Sequence, residues 1–211
     1  MPEAREHPPS TARIEAFSDG VIAIIITIMV LELKVPSTAF DRGDLVAVVN
    51  ELGPGLLIYA LSFLVVAIMT VNHHALMKVP PRATIALFWW NAYLLFWMSL
   101  VPLATAVFAR HPLQPLSVAF YGAIIFLASI GFQRLRRCVS LIGRDDGVMP
   151  PRLRALYFKN VITTVFWGLS VPLAYVSVYI SIAIFVLVPA SYFIPDFNPL
   201  PQLKPHKSNP T

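Results

Sequence analysis

Charge is scarce in this 211-residue chain. Asp, Glu, Lys and Arg make up 13% of it, against 57% hydrophobic residues and a mean hydropathy of +0.69. A soluble domain is nearer a quarter charged, so the composition is that of a membrane protein. The single cysteine, Cys138, rules out an intrachain disulfide, and nothing demands an oxidising compartment. A clean signal peptide is missing too. The first apolar run carries charges and has no Ala-x-Ala site, so it is expected to stay in the mature protein. No phosphate-binding Gly loop, His-Glu-x-x-His or Gly-x-Ser-x-Gly occurs, which argues against an enzyme. There is no Arg-rich helix of the voltage-sensing kind either. The net charge of +5 is spread over inter-segment loops instead of one patch interleaved with aromatics, so nucleic acid is not an expected partner.

What the chain does have is long hydrophobic runs. An all-α membrane protein with six transmembrane helices is expected, at about 13–35, 45–72, 84–109, 116–135, 157–174 and 177–194. Together they form one domain over 12–195, between a disordered leader at 1–11 and a Pro-rich disordered tail at 196–211. Gly53-Pro54-Gly55 is expected to kink or reset the start of the second segment. The 38 residues from Tyr157 to Ile194 are nearly all apolar, interrupted by Lys159, Asn160 and Pro172, and would span roughly 57 Å as one helix at ~1.5 Å per residue. A hydrocarbon core is only about 30 Å thick, so two passes with a turn near Pro172 to Ser177 fit better. Six crossings with both termini cytoplasmic leave only Lys34, Arg42 and Arg110 outside, so 13 of the 16 basic residues obey the positive-inside rule.

The first segment, Arg13 to Pro36, is long enough to cross a bilayer yet holds ionisable groups, which are costly there. At about 100° per residue, Phe17, Ile24, Ile28 and Leu31 share one narrow stripe with Thr27 on its flank. Ser18 and Asp19 point away from that stripe, so the opposite face is expected to hide a carboxylate in need of partners. His73, His74, Trp90 and Asn91 lie at similar depth on this topology, and Arg13 is close by. His73 and His74, being adjacent, point about 100° apart and do not suit one metal, and no clustered carboxylates are expected beside them.

Arg13-x-x-x-Phe17-Ser18-Asp19-Gly20, followed by Ala23-Ile24, Thr27 and Leu31-Glu32, resembles the first-helix signature of the prokaryotic relatives of the lysosomal potassium channel, the transmembrane protein 175 family. That resemblance extends more loosely over the next two segments and the six-segment layout. It implies a potassium-preferring cation channel in the prokaryotic cell membrane, multi-pass and surrounded by lipid. No cofactor is implied; potassium, with other monovalent cations, is what would permeate. It further implies a homotetramer in which the four first helices line the pore, since one copy cannot enclose an axis.

The resemblance gives Ile24 the narrowest hydrophobic ring and Thr27 a hydroxyl contributing to potassium preference, with Ile28 and Leu31 as further pore rings. Arg13, Ser18, Asp19, His73, His74, Trp90 and Asn91 would form a polar cluster that fixes the first helix from behind. No Thr-Val-Gly-Tyr-Gly filter is present, so hydrophobic rings would do the gating, by dewetting. The alternative is a proton-coupled secondary transporter in which Asp19 and His73 or His74 titrate. An absence of paired broken helices weakens that alternative.

Overall fold

The structure is a computed structural model that describes residues 11–33, 41–78, 83–142 and 151–193, of which 151–157 and 159 are described as backbone only. The expected leader and tail therefore lie outside the described residues, except Thr11, which begins a helix. Every element among the described residues is helical: α1 (Thr11–Leu31), α2 (Leu45–Met77), α3 (Ile85–Ser99), α4 (Val101–Arg110), α5 (Pro115–Leu141), α6 (Pro151–Val176) and α7 (Val178–Ala190). A single 3₁₀ turn, Ser191–Phe193, closes the series.

Side-chain caps explain several of the helix starts. The Asp44 carboxylate accepts from the Ala47 N–H at 3.0 Å and opens α2. The Thr84 hydroxyl accepts from the Leu87 N–H at 3.2 Å and opens α3. Pro115 occupies the first turn of α5, where a missing N–H costs nothing.

Several segment expectations need correcting. The expected third segment matches the membrane-length stretch Ile85–Arg110, but it is interrupted at Leu100 and resumes as α4, because Pro102 has no N–H to give Met98. Gly53-Pro54-Gly55 resets nothing: α2 is one continuous helix from Leu45, with Pro54 inside it. It also runs five residues past Asn72, so His73 and His74 stand on the helix and not in a turn. The fourth segment extends to Leu141, six residues beyond the expected end. Pro172 lies within α6, and the break to α7 is the single extended residue Ser177. There the Ser181 hydroxyl donates to the Ser170 carbonyl at 2.8 Å and ties α7 to α6.

Four helical stretches are long and apolar enough to cross a membrane: Thr11–Leu31, Leu45–Met77, Ile85–Arg110 and Pro115–Leu141. The last two helices are shorter in their apolar parts. At ~1.5 Å per residue α2 is roughly 50 Å long, so it overshoots a ~30 Å hydrocarbon core by about 20 Å.

α5 is the most enclosed of the four spans, and it packs against α3, α4 and α6. Small residues let it approach closely. A Cβ on Gly131 would meet the Tyr93 ring at 2.8 Å and the Leu94 backbone at 3.1 Å. On the α6 side, one on Gly122 would meet the Ser170 hydroxyl at 2.5 Å. Beside this crossing Phe108, Tyr121, Trp167 and Phe185 form an aromatic cluster with ring centroids 4.9–5.9 Å apart. α1 lies at the margin of this core, held by α2, α3 and α4.

Candidate functional site

α1 is amphipathic in an unusual sense, because both of its faces are mostly apolar. Ile14, Ser18, Ile22, Ile25 and Met29 recur every three or four residues and are buried against the bundle. Phe17, Ile24, Ile28 and Leu31 are exposed, at 57%, 58%, 43% and 79%. The stripe expected from the sequence is therefore real, and within one chain nothing covers it. Thr27 shares that outer face, its hydroxyl donating to the Ile24 carbonyl at 2.9 Å. A groove beside the stripe is lined by Val21, Ile24, Ile28, Glu32, Pro102 and Leu103, among others.

One buried polar chain sets the rotation of α1. Ser18, His73 and Asn91 are 0%, 1% and 1% exposed, and they come from α1, α2 and α3. The Ser18 hydroxyl donates to the Ile14 carbonyl at 2.7 Å. Its oxygen in turn accepts from the Asn91 amide nitrogen at 2.9 Å. The Asn91 amide oxygen lies 2.7 Å from His73 Nε2, and a carbonyl oxygen can only accept, so Nε2 carries a proton. His73 Nδ1 has no hydrogen-bond partner among the described residues. In this chain each residue satisfies a neighbour on a different helix, so α1 cannot rotate without orphaning a buried polar group.

Asp19 stands elsewhere, and the expectation that α1 hides a carboxylate is corrected here. Asp19 is exposed in the single chain, and the residue that turns inward is its neutral neighbour Ser18, 100° away around the helix. Burying a hydroxyl costs far less than burying a carboxylate, so this register is the cheaper one. Asp19 belongs instead to a half-exposed set. Single ligand-type atoms of Glu15, Asp19 and His74 all lie within 4.8 Å of one another. His74 Nδ1 is 2.7 Å from Glu15 Oε1. The expectation that no carboxylates stand beside the histidines is thus overturned by α1, which brings two of them to α2. Glu15 already pairs with His74, and the set is largely exposed, so it is an ion-pair cluster first. Sequence reasoning gave Glu15 no partner, although its i, i+4 spacing to Asp19 places both on one face.

The remaining expected members do not join either group. Arg13 is exposed. Trp90 is half-buried, with the Arg134 guanidinium 5.7 Å from its ring centroid and Tyr93 edge-on at 5.9 Å. At the other end of α1, Glu32 lies 3.8 Å from Arg110 and helps seat that end on α4.

This is a helical membrane protein whose first helix is locked by a buried Ser–Asn–His chain and turns a bare apolar stripe outward. Comparison with known proteins gives that class a family. The family model described as Endosomal/lysosomal potassium channel TMEM175 matches residues 13–102. A potassium channel of Chryseobacterium sp. (strain P1-3) is 38% identical over 191 residues, covering 87% of this chain and 93% of that one. The human endosomal/lysosomal proton channel TMEM175 is 36% identical over 154 residues, 68% of this chain but 30% of that much longer protein. Among solved structures, the lysosomal potassium-selective channel TMEM175 homolog from Chamaesiphon minutus superposes with a TM-score of 0.76 at 32% identity. That match covers 89% of this chain and 98% of the other, so the last two helices share the fold as well. The chain belongs to the TMEM175 family.

Proposed function

We propose that this chain is a potassium-preferring cation channel of the cell membrane, in which ions move passively down their gradient. The family is one of ion channels, and two bacterial relatives that match most of this chain bear the name potassium channel. The finer reading has four copies around one axis, six crossings per copy, both termini cytoplasmic, and α1 of each copy facing the pore. The observation that carries it is the fixed rotation of α1: the Ser18–Asn91–His73 chain turns Ile24, Thr27, Ile28 and Leu31 away from the bundle.

Exposure alone would not suffice for this reading. In a bilayer an apolar stripe is solvated by lipid tails at no cost, so there is no hydrophobic drive to cover it. The polar lock is what distinguishes the two cases. A lipid-facing helix gains nothing from a buried hydrogen-bonded chain that specifies its rotation, whereas a pore helix must present the same residues in every copy.

In the channel, rings of Leu31, Ile28, Thr27 and Ile24 would succeed one another along the axis. Branched side chains at Ile24 and Ile28 hold a dry constriction when close, and slight widening admits a partly hydrated cation. Thr27 adds the one hydroxyl to this sequence of rings. The groove flanked by Val21, Pro102 and Leu103 gives a neighbouring copy an apolar seat beside the stripe.

A proton pathway is the second reading, favoured by the name proton channel carried by the vertebrate relatives and by the unpartnered Nδ1 of His73. In its strongest form the chain is a proton-coupled transporter with Asp19 and His73 or His74 titrating. Flux into liposomes under a potassium gradient separates the readings. The channel predicts non-saturating, electrogenic potassium flux, and Ile24→Asn raises it or broadens ion choice by wetting the constriction. Transport that saturates and stops without a proton gradient would replace the channel with the transporter.

A further inference from the structure

A second cavity, to which α1 contributes no residue, holds polar side chains that the pore reading does not use. It is a small cleft of about 50 Å³ between α2, α5, α6 and α7, half open to the surroundings, so a ligand's head can enter while its body lies in the opening. The apolar wall includes Val65 and Met69 of α2, Trp167 of α6 and Val188 of α7. At its polar side stand Gln133 of α5 and Asn160 of α6. The lining residues of α5 and α6 fall at the end of the bundle that bears Arg134, Arg136 and Arg137.

Gln133 is the deciding residue. It is nine-tenths buried, and its amide nitrogen donates to the Thr164 hydroxyl at 3.3 Å. Its amide oxygen is buried with no hydrogen-bond partner. Thr163 and Thr164 both donate to the Asn160 backbone carbonyl, at 3.0 and 2.8 Å, so neither supplies that oxygen with a proton. Among the described residues no donor reaches it, which leaves it open to a donor from a ligand.

Charge narrows the choice further. A guanidinium has only donors, so the Asn160 side-chain oxygen must face Arg136, with both terminal nitrogens at 3.0 Å. The Asn160 amide nitrogen then donates to the Tyr192 hydroxyl at 3.2 Å. Among the described residues no carboxylate lines the cavity. A cationic head would sit beside the Arg136 charge without a counter-ion, and an anionic head would face the bare Gln133 oxygen.

We propose that this cavity binds a small neutral amphiphile, an alcohol whose hydroxyl donates to the Gln133 oxygen while its alkyl body lies against Trp167, Val65 and Val188. Such a ligand arrives either from water, as a short alkanol, or from the bilayer, as a monoacylglycerol.

The test uses the full chain in nanodiscs and quenching of Trp fluorescence by 2,2,2-tribromoethanol, a neutral hydroxyl probe that quenches on contact. Wild type is expected to show a saturable component that Trp167→Phe removes. Gln133→Leu, of similar volume, should weaken it roughly three- to tenfold, the worth of one hydrogen bond. 1-Octanol should displace the probe, and octane or octanoate at equal mole fraction should not. Displacement by monoolein as well assigns the ligand to the bilayer, and displacement by octanol alone assigns it to water; both support the site. Quenching that is linear and equal in wild type and Gln133→Leu would mean partition into lipid only and overturn the proposal. So would octane competing as well as octanol. Should Gln133→Leu fail to fold, the octanol–octane comparison on wild type decides alone.

Discussion

Asn91→Ala is the substitution that tests the lock on α1 most directly. The side chain it removes receives or gives the only inter-helix hydrogen bonds of Ser18 and His73 found here, at 2.9 and 2.7 Å. Ser18 keeps its bond to the Ile14 carbonyl, so the hydroxyl hydrogen remains satisfied. His73 fares worse: its Nε2 proton loses its acceptor while Nδ1 already has no partner, leaving a ring 1% exposed with neither nitrogen bonded. Orphaning a buried polar group costs about 1–3 kcal/mol, and here only the His73 Nε2 proton is orphaned. Inter-helix hydrogen bonds in membrane proteins average only about 0.6 kcal/mol, which sets a floor near 1 kcal/mol for two of them. The truncation also leaves a void where a well-packed amide stood, and that pushes the value up from the floor. We expect about 2–4 kcal/mol.

The assay is reversible unfolding in bicelles or mixed micelles, with Ser99→Ala as the reference. Ser99 is exposed and its hydroxyl bonds only the carbonyl of Phe96 on its own helix, so its loss should cost a few tenths of a kcal/mol. A Ser18→Ala/Asn91→Ala cycle should show a coupling of about 0.5–2 kcal/mol. If Asn91→Ala costs no more than Ser99→Ala, or the cycle is additive, the chain is not a lock. The argument from rotation to pore lining would then fall with it.

Other perturbations separate the remaining claims. Gly131→Ala should destabilise by about 1–3 kcal/mol, measured by the same unfolding, because its Cβ would meet the Leu94 backbone, which cannot swing aside. Gly20→Ala meets nothing within 4 Å in one chain and should gain up to about 1 kcal/mol of helix propensity. A fall in oligomer stability on gel filtration would show instead that a neighbouring copy packs there. His74→Ala should change stability by less than about 1 kcal/mol in the same unfolding assay, since the His74 side chain is half exposed to solvent; a larger loss would make this contact a structural anchor of α1. Asp19→Asn should harm assembly or opening more than ion preference; a stable tetramer that conducts normally with altered selectivity would refute this.

How much of this could be read from the chain itself depends on which physical signal each feature leaves. The α1 stripe was legible because 100° per residue sorts Phe17, Ile24, Ile28 and Leu31 onto one side whatever packs around them. Ser18, His73 and Asn91 were legible as residue types at one depth, but their pairing was not, since it needs three helices at set rotations. The error over Asp19 has the same source. Periodicity says which residues oppose the stripe, but Ser18 and Asp19 are neighbours there, and only the energy of burial chooses the neutral one. Glu15 counted among the costly ionisable groups of the first segment but was given no partner, because one turn before the motif carboxylate a charge at a helix end looks ordinary. The break at Leu100 was signalled by Pro102, whereas Pro54 and Pro172 carry the same signal inside unbroken helices. Local sequence does not say which of these prolines tertiary packing will absorb.

The two ends of the argument meet in the contrast between α5 and α1. α5 presses Gly131 against the Leu94 backbone and Gly122 against the Ser170 and Phe185 side chains and is buried on several sides, so its position is over-determined. α1 is buried on one side only, and apolar contact cannot fix its rotation, because lipid competes equally for either face. The polar chain resolves that degeneracy with three side chains. It does so near the end of α1 where Glu15 and Asp19 also reach His74, so the same turn of helix is held by a dry network inside and a charged one at the rim. The far end has only Glu32 near Arg110 at 3.8 Å, both substantially exposed, which is worth little. A helix anchored firmly at one end and loosely at the other pivots about the anchor, and Ile24, Ile28 and Leu31 lie progressively farther from it. Displacement on opening should therefore grow from Ile24 to Leu31, and spin labels at those positions should broaden in that order when the channel is driven open. Equal displacement at all three would mean α1 translates as a rod and the Ser18–Asn91–His73 chain breaks with every opening.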